Sequence, residues 1–164
     1  MPVRPSRLWK DMPPEKRLAA AEAFWREDQA NIEAQHVDAI VAIAKRLNFR
    51  AKSVQALSVD RKSKHLAQLA EVSDAVATRA LIAYHFAAKR DLMGAFLDAL
   101  GIAHENGVIG EESVTPPSRE KLVAAIRAVR DKVPADEVEL YLRTLATLDG
   151  DTWAEAEAAL ASAG

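Results

Sequence analysis

Residues 75–88 read AVATRALIAYHFAA, and eleven of these fourteen residues are apolar. The exceptions are Thr78, Arg79 and His85. A helix that is apolar on nearly every side is buried on most of them, so this stretch predicts the central helix of the fold, over about residues 73–88. Ser73 stands just before it, and serine is among the best residues for capping a helix N-terminus.

The surrounding sequence favours helices over an unusually long distance. Residues 15–93 are seventy-nine consecutive positions without glycine or proline, and thirty-three of the 164 residues are alanine. Glycine and proline cost about 1 and 3 kcal/mol in a helix interior, whereas alanine is the best helix former. We therefore expect an all-α fold, a compact multi-helix bundle or orthogonal helical array of seven or eight helices. No convincing strand pattern is present.

Several helix ends can be predicted from local signals. Pro14 is suited to the first turn of a helix. Asn48 and Gly101 tolerate the left-handed conformation that ends one. Ser58 is a candidate N-cap, and Thr152 with Glu155 forms the pattern of a capping box for the last helix.

The helix predicted from about Ala30 to Leu47 has an apolar stripe at helical spacing. Val37, Val41 and Ala44 widen this stripe, the side that an amphipathic helix turns to the core. His36 lies on the same stripe, where a hydrogen-bonded core histidine is a better interpretation than a metal ligand.

The charge is divided unequally along the chain. Residues 1–90 carry sixteen Lys and Arg against ten Asp and Glu, and residues 91–164 carry six against fourteen. We expect a single domain, 1–164, in which a loop at 103–117 separates a basic N-terminal part from an acidic three-helix C-terminal part. Opposite signs favour attraction between the two parts of one chain or head-to-tail contact between copies.

The positive excess is concentrated in residues 45–65. The candidate partner-binding residues in this segment are Arg50, Lys52, Arg61, Lys62 and Lys64. We expect a non-catalytic helical interaction module that uses them to bind a protein partner or a second copy. Nucleic-acid binding is the alternative, since cations that neutralise phosphates release counterions. Phe49 is the one aromatic residue within 45–65, so stacking on bases is poorly supported.

A further alternative is that these cations hold the two parts of the chain together. The candidate carboxylates for such ion pairs are Asp136, Glu137 and Glu139. If residues 45–65 bind a partner instead, their cations should project from one surface, with Lys52 approaching Lys62.

A small-ligand pocket beside the central helix is a second candidate site, with Tyr84, His85 and Lys89 as its residues. A histidine on a buried helix could ligate haem, but no second histidine is suitably placed opposite it. The four histidines show no metal-binding spacing. We expect no metal and no cofactor.

The inventory of catalytic motifs is poor. The chain has no cysteine, no phosphate-binding glycine loop and no nucleophile elbow. His104 and Glu105 could form an acid–base pair, but short polar loops after helices are common, and we expect no catalysis. No apolar run is long enough to serve as a signal peptide or a membrane span, so a cytoplasmic protein is expected.

Overall fold

The computed structural model describes residues 3–27, 32–110 and 114–164, which form ten α-helices and one two-stranded hairpin. The helices are α1 (Pro5–Asp11), α2 (Pro14–Arg26), α3 (Glu33–Leu47), α4 (Ala51–Gln55), α5 (Val59–Gln68), α6 (Asp74–Ala88), α7 (Arg90–Leu100), α8 (Arg119–Arg130), α9 (Ala135–Leu148) and α10 (Ala156–Ala163). The hairpin pairs β1 (His104–Glu105) with β2 (Val108–Ile109) in antiparallel register. The predicted all-α class is confirmed, with more helices than expected; α1, which begins at Pro5, was not predicted.

The chain divides into two compact units. The first unit is Arg4–Ala87, and the second unit contains Ala88–Gly164. The boundary therefore falls at the end of α6. The described residues of the loop 103–117, which is predicted to separate the basic part from the acidic part, belong to the second unit.

In the first unit, α5 packs against α2, and α3 packs against α4 and α5. Phe24 of α2 and Leu66 of α5 are fully buried there. The indole nitrogen of Trp9 in α1 donates a hydrogen bond of 2.7 Å to the Leu69 carbonyl, just beyond the end of α5. The helix α6 has the predicted bounds and seven buried residues, among them Leu81.

In the second unit, α8 packs against α7, α9 and α10. Its buried side chains are Leu122, Ala125, Ile126 and Val129. An aromatic cluster completes this core. The ring of Phe96 in α7 lies edge-on to Tyr141 of α9, with centroids 5.6 Å apart, and 6.5 Å from the ring of Trp153.

The helix ends predicted from local chemistry are largely confirmed. Pro14 is the first residue of α2, and the Ser73 hydroxyl accepts a hydrogen bond from the Val76 backbone N–H. Asn48 and Gly101 take positive φ angles of 57° and 72° at the ends of α3 and α7. The start predicted near Ala30 lies outside the described residues.

The capping box predicted for the last helix is wrong. The helix α10 begins at Ala156, one turn later than expected. The Thr152 hydroxyl donates to the Asp149 carboxylate over 2.6 Å instead of accepting from a helix N–H. The Asp149 carboxylate also accepts from the Thr152 backbone N–H over 3.2 Å, so residues 149–152 form a turn after α9.

The hairpin lies in a part of the sequence without an alternating strand pattern. Asn106 and Gly107 occupy its turn with φ angles of 53° and 86°. Positive φ at both central residues is what a type I′ turn requires, and Asn-Gly is the strongest short signal for that turn. This dipeptide was the signal that could have predicted the hairpin.

Candidate functional site

The basic segment, residues 45–65, runs from the last turn of α3 through α4 and into α5. The inner face of α5, with Ser63, Leu66 and Ala67, is buried. Because the helix repeats every 3.6 residues, Arg61 and Lys64 fall on its opposite, exposed face. The Ser58 hydroxyl fixes the start of this helix by accepting a hydrogen bond of 3.2 Å from the Arg61 backbone N–H, as predicted.

Two of the five candidate cations have partners inside the first unit. The Nζ atom of Lys62 lies 4.8 Å from the centroid of the Trp25 ring, which is a cation–π contact. The Nζ atom of Lys64 lies 3.1 Å from Oδ2 of Asp60, one turn earlier on the same helix. These contacts engage two of the cations of α5 within the first unit.

The other three cations are more available. Within the described ranges, no ion pair or hydrogen bond engages the charged groups of Arg50, Lys52 or Arg61, and all three side chains are exposed. The same holds for Lys45, on the last turns of α3. Arg46, by contrast, donates a hydrogen bond of 2.7 Å to the Gln68 carbonyl at the end of α5.

Large apolar side chains are exposed on α3 and just after its end, near Lys45 and Arg50. Val37, Val41 and Phe49 are 56%, 52% and 54% exposed. The prediction that Val37 and Val41 face the interior is wrong, because the covered face of α3 is narrower than its apolar stripe. Ile40 and Ile43 occupy the covered face, and the two valines lie beyond its edge.

Helix geometry and one hydrogen bond bring Val41, Lys45 and Phe49 toward one another, and Val37 lies one turn before Val41 on α3. Val41 and Lys45 are neighbours four residues apart on the helix surface. The backbone N–H of Phe49 donates to the Ala44 carbonyl over 2.9 Å, which turns the chain back beside the last helical turn. We define the basic-apolar surface as Val37, Val41, Lys45, Phe49, Arg50 and Lys52. The approach of Lys52 to Lys62 stays a prediction.

Two carboxylates considered as partners for the basic segment have cations within the second unit. Glu137 Oε1 lies 3.4 Å from Nζ of Lys89, and Glu139 pairs with Arg143 one turn later on α9. Arg143 also bonds Glu157 over 2.8 Å, and hydrogen bonding to Glu157 is the main cause that raises the pKa of its guanidinium.

The candidate residues beside the central helix fall in different units. Tyr84 and His85 are buried in the first unit, whereas Lys89 belongs to the second. Nδ1 of His85 lies 2.8 Å from the Leu81 carbonyl. A carbonyl oxygen only accepts hydrogen bonds, so Nδ1 carries the proton and His85 bonds back to its own helix.

The His104 loop forms the β-hairpin on α7. The Gly107 backbone N–H donates to Nδ1 of His104 over 3.0 Å, and Nε2 lies 2.7 Å from Oδ1 of Asp98. Nδ1 is therefore an acceptor and Nε2 carries the proton. Since both ring nitrogens are engaged, His104 holds the hairpin to α7, and its geometry is not that of an acid–base pair with Glu105.

An open cleft of about 1130 Å³ lies beside this hairpin in the second unit. Its polar lining includes Arg90, Asn106 and Lys121. Arg90 donates a hydrogen bond of 3.1 Å to the Asn106 carbonyl, so one of these cations also fixes the hairpin.

Over residues 3–27, 32–110 and 114–164, no group of three or more histidine, aspartate or glutamate side chains is placed to hold a metal ion. In the same residues, none of the helices combines the length and the apolar character needed to cross a bilayer. No protein-family model, curated protein or solved structure matches this chain.

Proposed function

We propose that the protein is a non-catalytic interaction module that binds an acidic protein partner through the basic-apolar surface of its first unit. One observation carries the proposal: three large apolar side chains are exposed beside cations that have no partner in the described part of the chain. A partner with apolar residues and carboxylates would cover the exposed apolar side chains and pair with the cations.

The apolar component supplies most of the expected affinity. Removing apolar surface from water contributes about 25 cal/mol per Å², and aromatic side chains such as Phe49 are frequent anchors of protein interfaces. Lys45, Arg50 and Lys52 would attract carboxylates and orient the partner, since charges at an interface affect specificity and association rate more than affinity.

Nucleic-acid binding through the same segment is less well supported. Phosphate recognition needs several available cations, and the contacts of Lys62 with Trp25 and of Lys64 with Asp60 leave four of them, Lys45, Arg50, Lys52 and Arg61, in the described residues. The exposed side chains of Val37 and Val41 form neither hydrogen bonds nor ion pairs with phosphates. The apolar side chains therefore favour a protein partner.

The test is a binding measurement by fluorescence anisotropy with two probes, a labelled synthetic helical peptide of leucine and glutamate and a labelled short DNA duplex. We expect the peptide to bind. Val37→Ser, Val41→Ser and Phe49→Ser together should weaken its binding at least tenfold, about 1.4 kcal/mol. All three side chains are exposed, and serine has nearly the helix propensity of valine at the two helical positions, so the folded state should be retained.

The matched control is Val108→Ser, which removes an exposed valine from the second unit and should leave peptide binding unchanged. Failure of the peptide to bind would contradict the proposal. So would DNA binding that falls steeply with salt and is unaffected by the three serine substitutions, which would support the nucleic-acid alternative.

A further inference from the structure

The two units have opposite net charges. The first unit carries fourteen Lys and Arg against ten Asp and Glu, a net of +4, and the second carries eight against fourteen, a net of −6. The charge division noted along the sequence therefore follows the division of the fold. Each copy of the chain presents a basic unit and an acidic unit that could attract those of another copy.

The end of α9 in the second unit has the features that complement the basic-apolar surface. Leu148, its last residue, is 48% exposed, and Asp149 and Asp151 follow it as exposed residues. The last turn of α9 contains no basic residue. Carboxylates beside the negative end of a helix dipole are unfavourable, so cations from a partner would be stabilising there.

Local hydrogen bonds favour the ionised form of one of these carboxylates. Asp149 accepts from the Thr152 hydroxyl over 2.6 Å and from the Thr152 backbone N–H over 3.2 Å. These bonds hold the pKa of Asp149 below its usual range. The end of α9 thus combines an exposed leucine with negative charge at neutral pH. The basic-apolar surface combines exposed valines and a phenylalanine with positive charge, so the two surfaces are complementary.

We infer that the partner of the basic-apolar surface is a second copy of this chain, which docks the end of its α9 there. The inference rests on the proposed function and adds the identity of the partner. Leu148 would cover apolar side chains such as Val41 and Phe49, while Asp149 and Asp151 would meet the cations Arg50 and Lys52. The two docking surfaces are different, so the contact is heterologous and repeats head to tail.

The expected contact is weak and sensitive to salt. So few residues cannot fill a standard interface of about 1,600 Å², and small interfaces belong to transient complexes. Exposed charges are screened within about 8 Å at physiological ionic strength, so added salt should reduce association. Association between copies depends on protein concentration, whereas attraction between the two units of one chain does not.

Sedimentation velocity with the full chain tests the inference through a pair of variants. The first variant, Arg50→Glu with Lys52→Glu, changes the basic-apolar surface and keeps the end of α9. The second, Leu148→Ser with Asp151→Lys, changes the end of α9 and keeps the basic-apolar surface. Asp149 is left intact because it closes the turn at Thr152.

We expect the wild-type chain to self-associate as its concentration rises and each variant alone to remain monomeric. An equimolar mixture of the two variants should form a 1:1 complex that grows no further, because one intact surface of each kind remains. The control Glu105→Lys makes the same change of charge as Asp151→Lys at another exposed carboxylate of the second unit, and should self-associate like the wild type. Thermal unfolding of each variant verifies that it is folded.

Other outcomes would overturn the inference. Self-association of either variant alone would indicate a symmetric contact between like surfaces, and a folded mixture without a complex would show that these surfaces do not meet. A wild-type chain that stays monomeric yet binds the leucine–glutamate peptide through Val37, Val41 and Phe49 would refute the second copy as partner and leave the proposed function standing. If the wild-type chain neither self-associates nor binds the peptide, both this inference and the proposed function are refuted.

Discussion

Lys62 and Trp25 join α5 to α2 through a cation–π contact, with Nζ 4.8 Å from the centroid of the indole ring. The Lys62 side chain is half-buried, and Trp25 is buried. A lysine that the sequence marks as a candidate for partner binding therefore also stabilises the packing of the first unit.

Replacing Lys62 by methionine should lower the free energy of unfolding by about 0.5–1 kcal/mol, the typical value of a partly exposed cation–π contact. Arg61→Met, on the exposed face of the same helix, should change it by less than about 0.5 kcal/mol. Urea denaturation followed by circular dichroism measures both. Equal effects of the two substitutions would show that the contact with Trp25 contributes nothing.

Asp74 should make the stability of the first unit depend on acidity. At the start of α6 it accepts a hydrogen bond of 3.1 Å from the Ser6 backbone N–H and one of 3.0 Å from Nε of Arg4. Hydrogen bonds from Ser6 and from Arg4 lower the pKa of Asp74 to about 2. Because the pKa is lower in the folded state, the stabilisation is complete above the unfolded value, about 3.9, and is lost as the pH falls toward 2.

Asp74→Asn removes this stabilisation at every pH. The difference in urea midpoint between the wild type and Asp74→Asn should therefore be largest at neutral pH and should shrink between about pH 4 and pH 2. High salt should also reduce the difference, since the pair with Arg4 is exposed. If the difference in urea midpoint stays constant down to the lowest pH, the lowered pKa of Asp74 is contradicted.

Gly107 should tolerate substitution least among three glycines near the hairpin. An added Cβ there would lie 2.8 Å from Cβ of Met93, and φ is 86°. Gly101 has a φ of 72° but open space, so Gly101→Ala should cost roughly 1–2 kcal/mol from backbone strain alone. Gly110 has neither constraint, and Gly110→Ala should stay within about 0.5 kcal/mol. Thermal unfolding should rank Gly107→Ala as the most destabilising.

The two cores should respond strongly to the loss of a large side chain. Leu81 of the first unit and Phe96 of the second are fully buried. Leu81→Ala should cost about 2–5 kcal/mol and Phe96→Ala about 3–5 kcal/mol, because each leaves a cavity. Val41→Ala, at an exposed helical site, should change the free energy of unfolding by less than about 0.5 kcal/mol. A cost below 0.5 kcal/mol at both core positions would mean that α6 and α7 are wrongly assigned.

Features that depend on a few neighbouring residues were predictable. Ser58 and Ser73 begin helices, and Asn48 and Gly101 end them, because a cap or a left-handed residue acts on the adjacent turn alone. The hairpin turn at Asn106 was also encoded locally, but its strands have only two residues each, too few for an alternating pattern.

The capping box shows where local reasoning fails even at short range. Thr152 has two acceptable partners, a helix N–H after it and a carboxylate before it. The chain adopts the second, because the charged Asp149 carboxylate accepts from both the hydroxyl and the backbone N–H of Thr152 and so closes a turn before α10 can begin. Two local signals that compete cannot be ranked without the geometry that satisfies one of them.

The sequence by itself determined the all-α class, most helix ends and the opposite charges of the two halves, since these follow from propensity, capping and composition. Only the tertiary structure decided which apolar and charged side chains remain available. The helical spacing of apolar residues marks one side of α3 as apolar. How much of that side is buried depends on the helices packed against it, and they leave Val37 and Val41 exposed. Likewise, Lys62 and Arg61 are equivalent as charges in the sequence, and the packing of α5 on α2 places Lys62 over Trp25 while Arg61 stays in solvent.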